Sequence, residues 1–243
     1  MSGRFRRAIR ILAEPGGARA EVEDDFHHFA VAIRHDGGYV TEARGRAIRH
    51  PWSLCPMAAG ELARLRGLPV TTDPTAVYRH IEPRLQCTHM FEAAGLAVTQ
   101  AARGTGARRY DATVGDPMEG QILVELRRDG AALIRWRLQN GVIVEPVERR
   151  GQRPTAYRSA VLAGLPHDEA EQLLILRRVI GLGAARGMDI DRFPNAASMD
   201  RGPACFVFRQ DVAEHAARNH RSALDFSTGP GPLAEGPTSG DFP

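Results

Sequence analysis

Lysine is missing from this sequence: all 32 of its basic residues are arginine. No Schiff base with a carbonyl substrate, no pyridoxal-phosphate lysine and no P-loop lysine is therefore available. GC-rich coding produces the same bias, so the lack says which chemistry is excluded rather than which was selected. Arginine stays charged and grips carboxylate or phosphate as a fork. Cysteine is scarce too. Three residues make no disulfide framework, and reduced thiols are expected. Aromatic residues are few, the arginines are scattered and the net charge is only +3, which leaves no stacking platform for nucleic acid. No apolar run approaches the length of a membrane span. The start, Met-Ser-Gly-Arg-Phe-Arg-Arg, leads into Ile9 and Ile11 rather than a signal-peptide core, so a cytoplasmic location is expected. No Gly-x-Ser-x-Gly elbow is present, which argues against an ordinary serine hydrolase. Gly181-x-Gly183-x-x-x-Gly187 falls in or at the end of a helical pattern and is rejected as a phosphate loop.

What is there reads as an α+β protein of 243 residues, long enough for a sizeable core. Residues 5–12 alternate as a first strand. Residues 19–34 read as one longer extended segment, with Phe29, Val31 and Ile33 on one face. Asp36-Gly37-Gly38 turns the chain into a return strand over 39–48. Pro56 suits the first position of a helix that carries Ala58, Ala59, Leu62 and Leu65, making Cys55 its N-cap. A short helix over 74–82 follows, then a clear helix over 87–103 with Cys87, Met90, Phe91, Ala94, Val98 and Ala101 on one stripe. The second half restarts with a three-stranded meander whose turns are Asp129-Gly130 and Asn140-Gly141. A long helix spans 166–187, Cys205–Phe208 suggests a short strand, and 211–224 a final helix. The expected organisation is two intimately associated halves, 1–104 and 105–226. Each sets antiparallel hairpins or meanders against helices, and a Gly/Pro/Ser-rich disordered tail follows over 227–243.

The polar residues that cost most to bury lie in three short stretches. Cys55 and Cys87-Thr88-His89 open helices, where free N–H groups and the helix dipole favour thiolate. Cys87 also lies on an apolar stripe, where it serves equally as a small core residue. Asp24-Asp25-Phe26-His27-His28-Phe29 precedes them. Small neighbours, Ala30 and Ala32, leave room beside His28, and Asp25 or Asp24 is placed to orient an imidazole as general base. A hydrogen-bonded structural histidine fits the same residues. Arg46 and Arg49 lie shortly before Trp52 and Cys55, positioned to hold an anionic group or to stand solvated.

These strings carry a resemblance. Asp24-Asp25-Phe26-His27-His28-Phe29, Arg49-His50-Pro51-Trp52, Cys55-Pro56 and Cys87-Thr88-His89 resemble the bacterial domain-of-unknown-function family 2889. Gly202-x-Ala204-Cys205-Phe206 and Ser222-Ala223-Leu224-Asp225-Phe226 look like its C-terminal part. The resemblance covers residues 20–226 and implies an enzyme or accessory of aromatic or acyl-compound catabolism. A more distant likeness, to the NifU/IscU-type iron–sulfur scaffold fold, implies an α+β fold and a ligand role for Cys55 and Cys87. It lacks the scaffolds' first cysteine and their adjacent His-Cys pair.

Two functions follow as expectations. The first is a small-molecule enzyme, a lyase or hydrolase on an aromatic or acyl substrate, needing no cofactor. His28 with Asp25 serves as base, Cys87 and His89 complete the site, and Arg49 and Trp52 bind substrate. The second is a non-catalytic zinc or iron–sulfur protein using Cys55, Cys87, His89 and one ligand from Asp25, His27 or His28. Neither calls for nucleic acid or a membrane, and a homodimer is left open.

Overall fold

The structure, a computed structural model, describes residues 3–236. Its centre is one eight-stranded antiparallel sheet. The strands are β1 (Arg4–Glu14), β2 (Gly17–Asp24), β3 (His28–His35), β4 (Val40–Arg49), β5 (Gly106–Gly115), β6 (Gln121–Arg128), β7 (Ala131–Gln139) and β8 (Val142–Glu145). Their spatial order is β4-β3-β2-β1-β5-β6-β7-β8. Each half is thus a four-stranded meander. The first strands of the two meanders pair along the middle, from Arg4 opposite Gly115 to Ala13 opposite Gly106. The boundary expected near residue 104 falls in a connecting loop, and the sheet runs across it unbroken.

The helices are α1 (Ala76–His80), α2 (Thr88–Arg103), α3 (Ser159–Leu162) and α4 (His167–Gly183). α2 packs on β1, β2 and β3, and α4 on β1, β5 and β6. The strands alternate to suit them. Phe5, Ile9 and Ile11 of β1, Val22 of β2, Phe29, Val31 and Ile33 of β3, and Tyr110, Ala112 and Val114 of β5 are buried. Removing a side chain such as Phe29 from water stabilises the fold by about 2 kcal/mol. Arg7 falls in the same inward series and is fully buried. At Gly45 of β4 an added Cβ would lie 2.7 Å from both Leu62 and Met90. Glycine there lets α2 and the stretch Cys55–Leu65 close onto the sheet together. Both residues of the Asp129-Gly130 and Asn140-Gly141 turns have positive φ, as tight hairpins of this hand require. No helix among the described residues is long and apolar enough to cross a membrane.

Several elements differ from the sequence pattern. The segment 19–34 is two strands, because Asp24 folds the chain back: its Oδ1 accepts the backbone N–H of Phe26 and of His27, both at 2.9 Å. Cys55–Leu65 is a 3-10 helix starting at Cys55, with Leu54 rather than Cys55 at the cap. β5 is an additional strand, so the second meander has four. Cys205–Phe208 is no strand; Phe206–Phe208 is a single 3-10 turn. The segment 211–224 is not helical. It is held by isolated bridges, Asn195 to Ala217 and Trp52 to Arg218. The chain from 227 to 236 is laid over the outer face of the sheet, with Leu233 buried. Arg10 donates to the Leu233 and Glu235 carbonyls, and Arg109 to those of Pro232 and Leu233. The expectation of a disordered tail fails for those residues; residues 237–243 lie outside the described residues.

Candidate functional site

The end of the sheet at the β2–β3 turn meets the start of α2, and both face a cavity of about 380 Å³. This is within the range of small-molecule sites. Its walls are mainly apolar: Phe26, Phe29, Trp52, Leu182, Met199 and Phe206. The second half of α4 and the segment 199–208 close it from the other side, so both halves of the chain build it.

His27 and His89 form its polar end. Their rings stack with centroids 3.7 Å apart and 25° between planes, and Phe29 continues the stack. His27 is placed by Asp24, whose Oδ1 lies 2.9 Å from Nδ1. Asp24 is anchored in turn by Arg7, its cross-strand partner. The second arm of Arg7 reaches Glu92 of α2 at 2.5 Å. A buried cation between two carboxylates thus ties β1, the β2–β3 turn and α2 into one unit. Burial pushes the Asp24 carboxyl up, but His27, Arg7 and the Phe26 N–H outweigh it, and it stays ionised far below the usual range. Burial holds His27 below the ordinary histidine value. His89 lies well below it, by burial first and then by the neighbouring His27, Arg7 and Arg178. Both imidazoles are neutral at pH 7. An ionised Asp24 can only accept, so His27 carries its proton on Nδ1 and presents Nε2 as a base. The Nε2 of His89 is enclosed and has no hydrogen-bond partner.

The sequence-predicted residues separate into two groups. His89, Cys87, Cys55 and Trp52 line the cavity. His28, Asp25 and Arg49 do not. His28 points to the opposite face of the sheet, where its Nε2 meets Glu21 at 2.8 Å and its Nδ1 lies 3.6 Å from Glu23. Asp25 orients neither imidazole. Burial and the nearby Asp24 and Asp225 raise it to about 7. Arg49 is used structurally, donating to the carbonyls of Asp24, Asp25 and Ser222 and pairing with Glu23. Alternation explains the exchange of His28 for His27: the cavity face is the one that carries Phe29.

Cys55, Cys87 and Cys205 all border the cavity as free thiols. Burial pushes Cys87 up to about 12 and Cys55 well above its ordinary value. The helix N-terminus does not make Cys87 a thiolate, because desolvation exceeds the pull of the His89 and Met90 N–H groups. Nor do Cys55, Cys87 and His89 converge as a ligand set. Among the described residues, the group of three or more whose ligand atoms lie within 4.8 Å of one another is Asp24, His27 and His89. That group fits a metal poorly. Asp24 is already saturated by Arg7, His27 and two backbone N–H groups. The stacked rings set their in-plane lone pairs side by side, whereas one ion at 2.0–2.1 Å needs them to converge. Arg7 and Arg178 add positive charge nearby.

A scan against protein-family models and a search of curated proteins both return no match for this chain.

Sequence reasoning missed Arg7 and the arginines of α4, and of the Asp/His pairings open to it favoured Asp25 with His28 where the structure pairs Asp24 with His27. One signal was present. In β1 the series Phe5, Arg7, Ile9, Ile11 puts an arginine on an otherwise apolar face, which demands a buried carboxylate partner.

Proposed function

We propose that the chain is a small-molecule enzyme that performs acid–base chemistry, of the lyase or hydrolase kind, on an aromatic or acyl substrate. The observation that carries this reading is the Asp24–His27 pair at one end of a mainly apolar cavity, with His89 Nε2 beside it and unpartnered. His27 Nε2 takes a proton from the substrate or from an attacking water. Asp24, ionised and fixed by Arg7, stabilises the imidazolium that forms, and the proton then returns to the leaving group. His89, neutral and enclosed, offers a further polar contact where the substrate's own polar atom would sit. The cysteines, held as thiols by burial, shape the cavity rather than attack.

A panel of aryl and acyl esters, thioesters and β-substituted acids, assayed with the full chain, tests this. Wild-type turnover should fall at least about 100-fold in His27→Gln, as general acid–base catalysis is worth. It should persist in His28→Gln. Turnover that survives His27→Gln, or no turnover on any member, refutes the reading.

A further inference from the structure

Most buried arginine in this fold meets a carboxylate. Arg7 lies between Asp24 and Glu92, Arg103 and Arg108 hold Glu171, and Arg218 holds Asp191. The cavity is the exception. Arg177 and Arg178, consecutive on α4, and Arg201 all line it. Among the described residues none of the three has a carboxylate within ion-pair distance. Arg177 spends its Nε on a long contact, 3.4 Å, to the Thr155 carbonyl. The Nε of Arg178 is buried with no hydrogen-bond partner, and its guanidinium lies beside the neutral Tyr78 hydroxyl rather than a carboxylate. Burial and the adjacent Arg178 charge both press Arg177 down. Two neighbouring cations in a half-buried wall repel each other, and burying a charge without a counter-charge costs free energy. An anion arriving between them relieves both penalties. The same charges work against a metal cation at the imidazoles, since Arg178 already acts on His89.

We propose that the ligand of this cavity is an organic carboxylate, its anionic group held by Arg177 and Arg178 and its aryl or short acyl body lying against Trp52 and Phe206. The proposal rests on the enzymatic reading above and deepens it by naming the substrate class. It also moves the anion-holding role expected of Arg49 to α4. The carboxylate enters as the missing counter-ion and the apolar body fills the remaining walls. The portion of the substrate nearest His27 is then its uncharged part, where a proton can be taken or delivered.

Calorimetric titration of the full chain with benzoate, benzamide and phenyl phosphate tests this, with Arg178→Gln and Arg177→Gln as variants. These probes share one ring and differ in the head group. Wild-type protein should bind benzoate at least about 10-fold more tightly than benzamide, the value of a charge-assisted hydrogen bond. Arg178→Gln should lower benzoate affinity roughly 10- to 100-fold and leave benzamide unchanged, which also shows that the variant keeps its cavity. Arg177→Gln should act in the same direction. Equal binding of benzoate and benzamide by wild type, or benzoate binding untouched in both variants, overturns the inference and leaves the acid–base reading standing. Tighter binding of phenyl phosphate overturns the carboxylate assignment. Binding of none of the three overturns both the inference and the cavity reading beneath it.

Discussion

Replacing Asp25 by asparagine removes a carboxyl that the fold holds in an unfavourable place. Burial, then the charges of Asp24 and Asp225, raise it from 3.8 to about 7, with Arg186 and the Phe226 N–H offsetting only part. Its Oδ1 is buried without a partner. A shift of about three units corresponds to about 4 kcal/mol as an upper bound. Solvent screening on the Asp225 side reduces this to about 2 kcal/mol. The sign follows from proton binding. Below about pH 3 the group is protonated in folded and unfolded chains alike, and it costs almost nothing. Between about 3 and 7 the folded chain keeps a proton that the unfolded chain loses, so stability falls as pH rises. Above 7 both forms are ionised and the full penalty is present. Asp25→Asn should therefore gain about 2 kcal/mol over wild type at pH 8 and almost nothing at pH 3. Urea unfolding of both proteins at the two pH values measures it, and the difference between proteins isolates this residue from the other titrating groups. A gain of equal size at both pH values, or a loss at pH 8, refutes the assignment.

Arg7→Met should cost about 3–5 kcal/mol in urea unfolding, because it leaves Asp24 and Glu92 buried together without their cation; a loss below about 1 kcal/mol would show that the pair neutralises itself by protonation. In the folded protein at pH 8 a disulfide thiol reagent should label Cys205, which is partly exposed, well before Cys55 and Cys87. Rapid labelling of all three would contradict the enclosed thiols. Leu233→Ala should destabilise by about 2 kcal/mol, whereas a tail detached from the sheet would show no change.

The parts of the fold legible in the sequence were those written in local chemistry. Asp129-Gly130 and Asn140-Gly141 announce their hairpins by a need for positive φ, and the stripe from Cys87 to Ala101 announces α2. β5 was harder. Tyr110, Ala112 and Val114 do alternate, but they sit among Arg108, Arg109 and Asp111 behind two glycines, and the signal drowned in its polar face. The alanines of 211–224 suggested a helix, yet that segment is bound edge-on to Trp52 and Asn195. Tertiary contacts there override propensity. In the site, the neighbourhood of His89, Cys55, Cys87 and Trp52 could be anticipated, because each sits near the start of an element and near the same turn. Choosing His27 over His28 required knowing which face α2 covers. Arg177 and Arg178 lie about 90 residues beyond His89 in the chain, and nothing local links them to it.

The eight-stranded sheet makes the two halves look separable, since each is a meander followed by a helix. The cavity says otherwise. Its imidazoles come from the first half, while its arginines and the lid formed by Met199 and Phe206 come from the second. The segment that closes it returns to the first half at Trp52, 166 positions earlier than Arg218 by their numbers. During synthesis Asp24 and His27 therefore emerge long before the residues from 177 to 208 that complete the cavity wall. A fragment ending after α2 would hold Asp24, His27 and His89 but lack the arginine wall and the 199–208 segment that enclose the cavity.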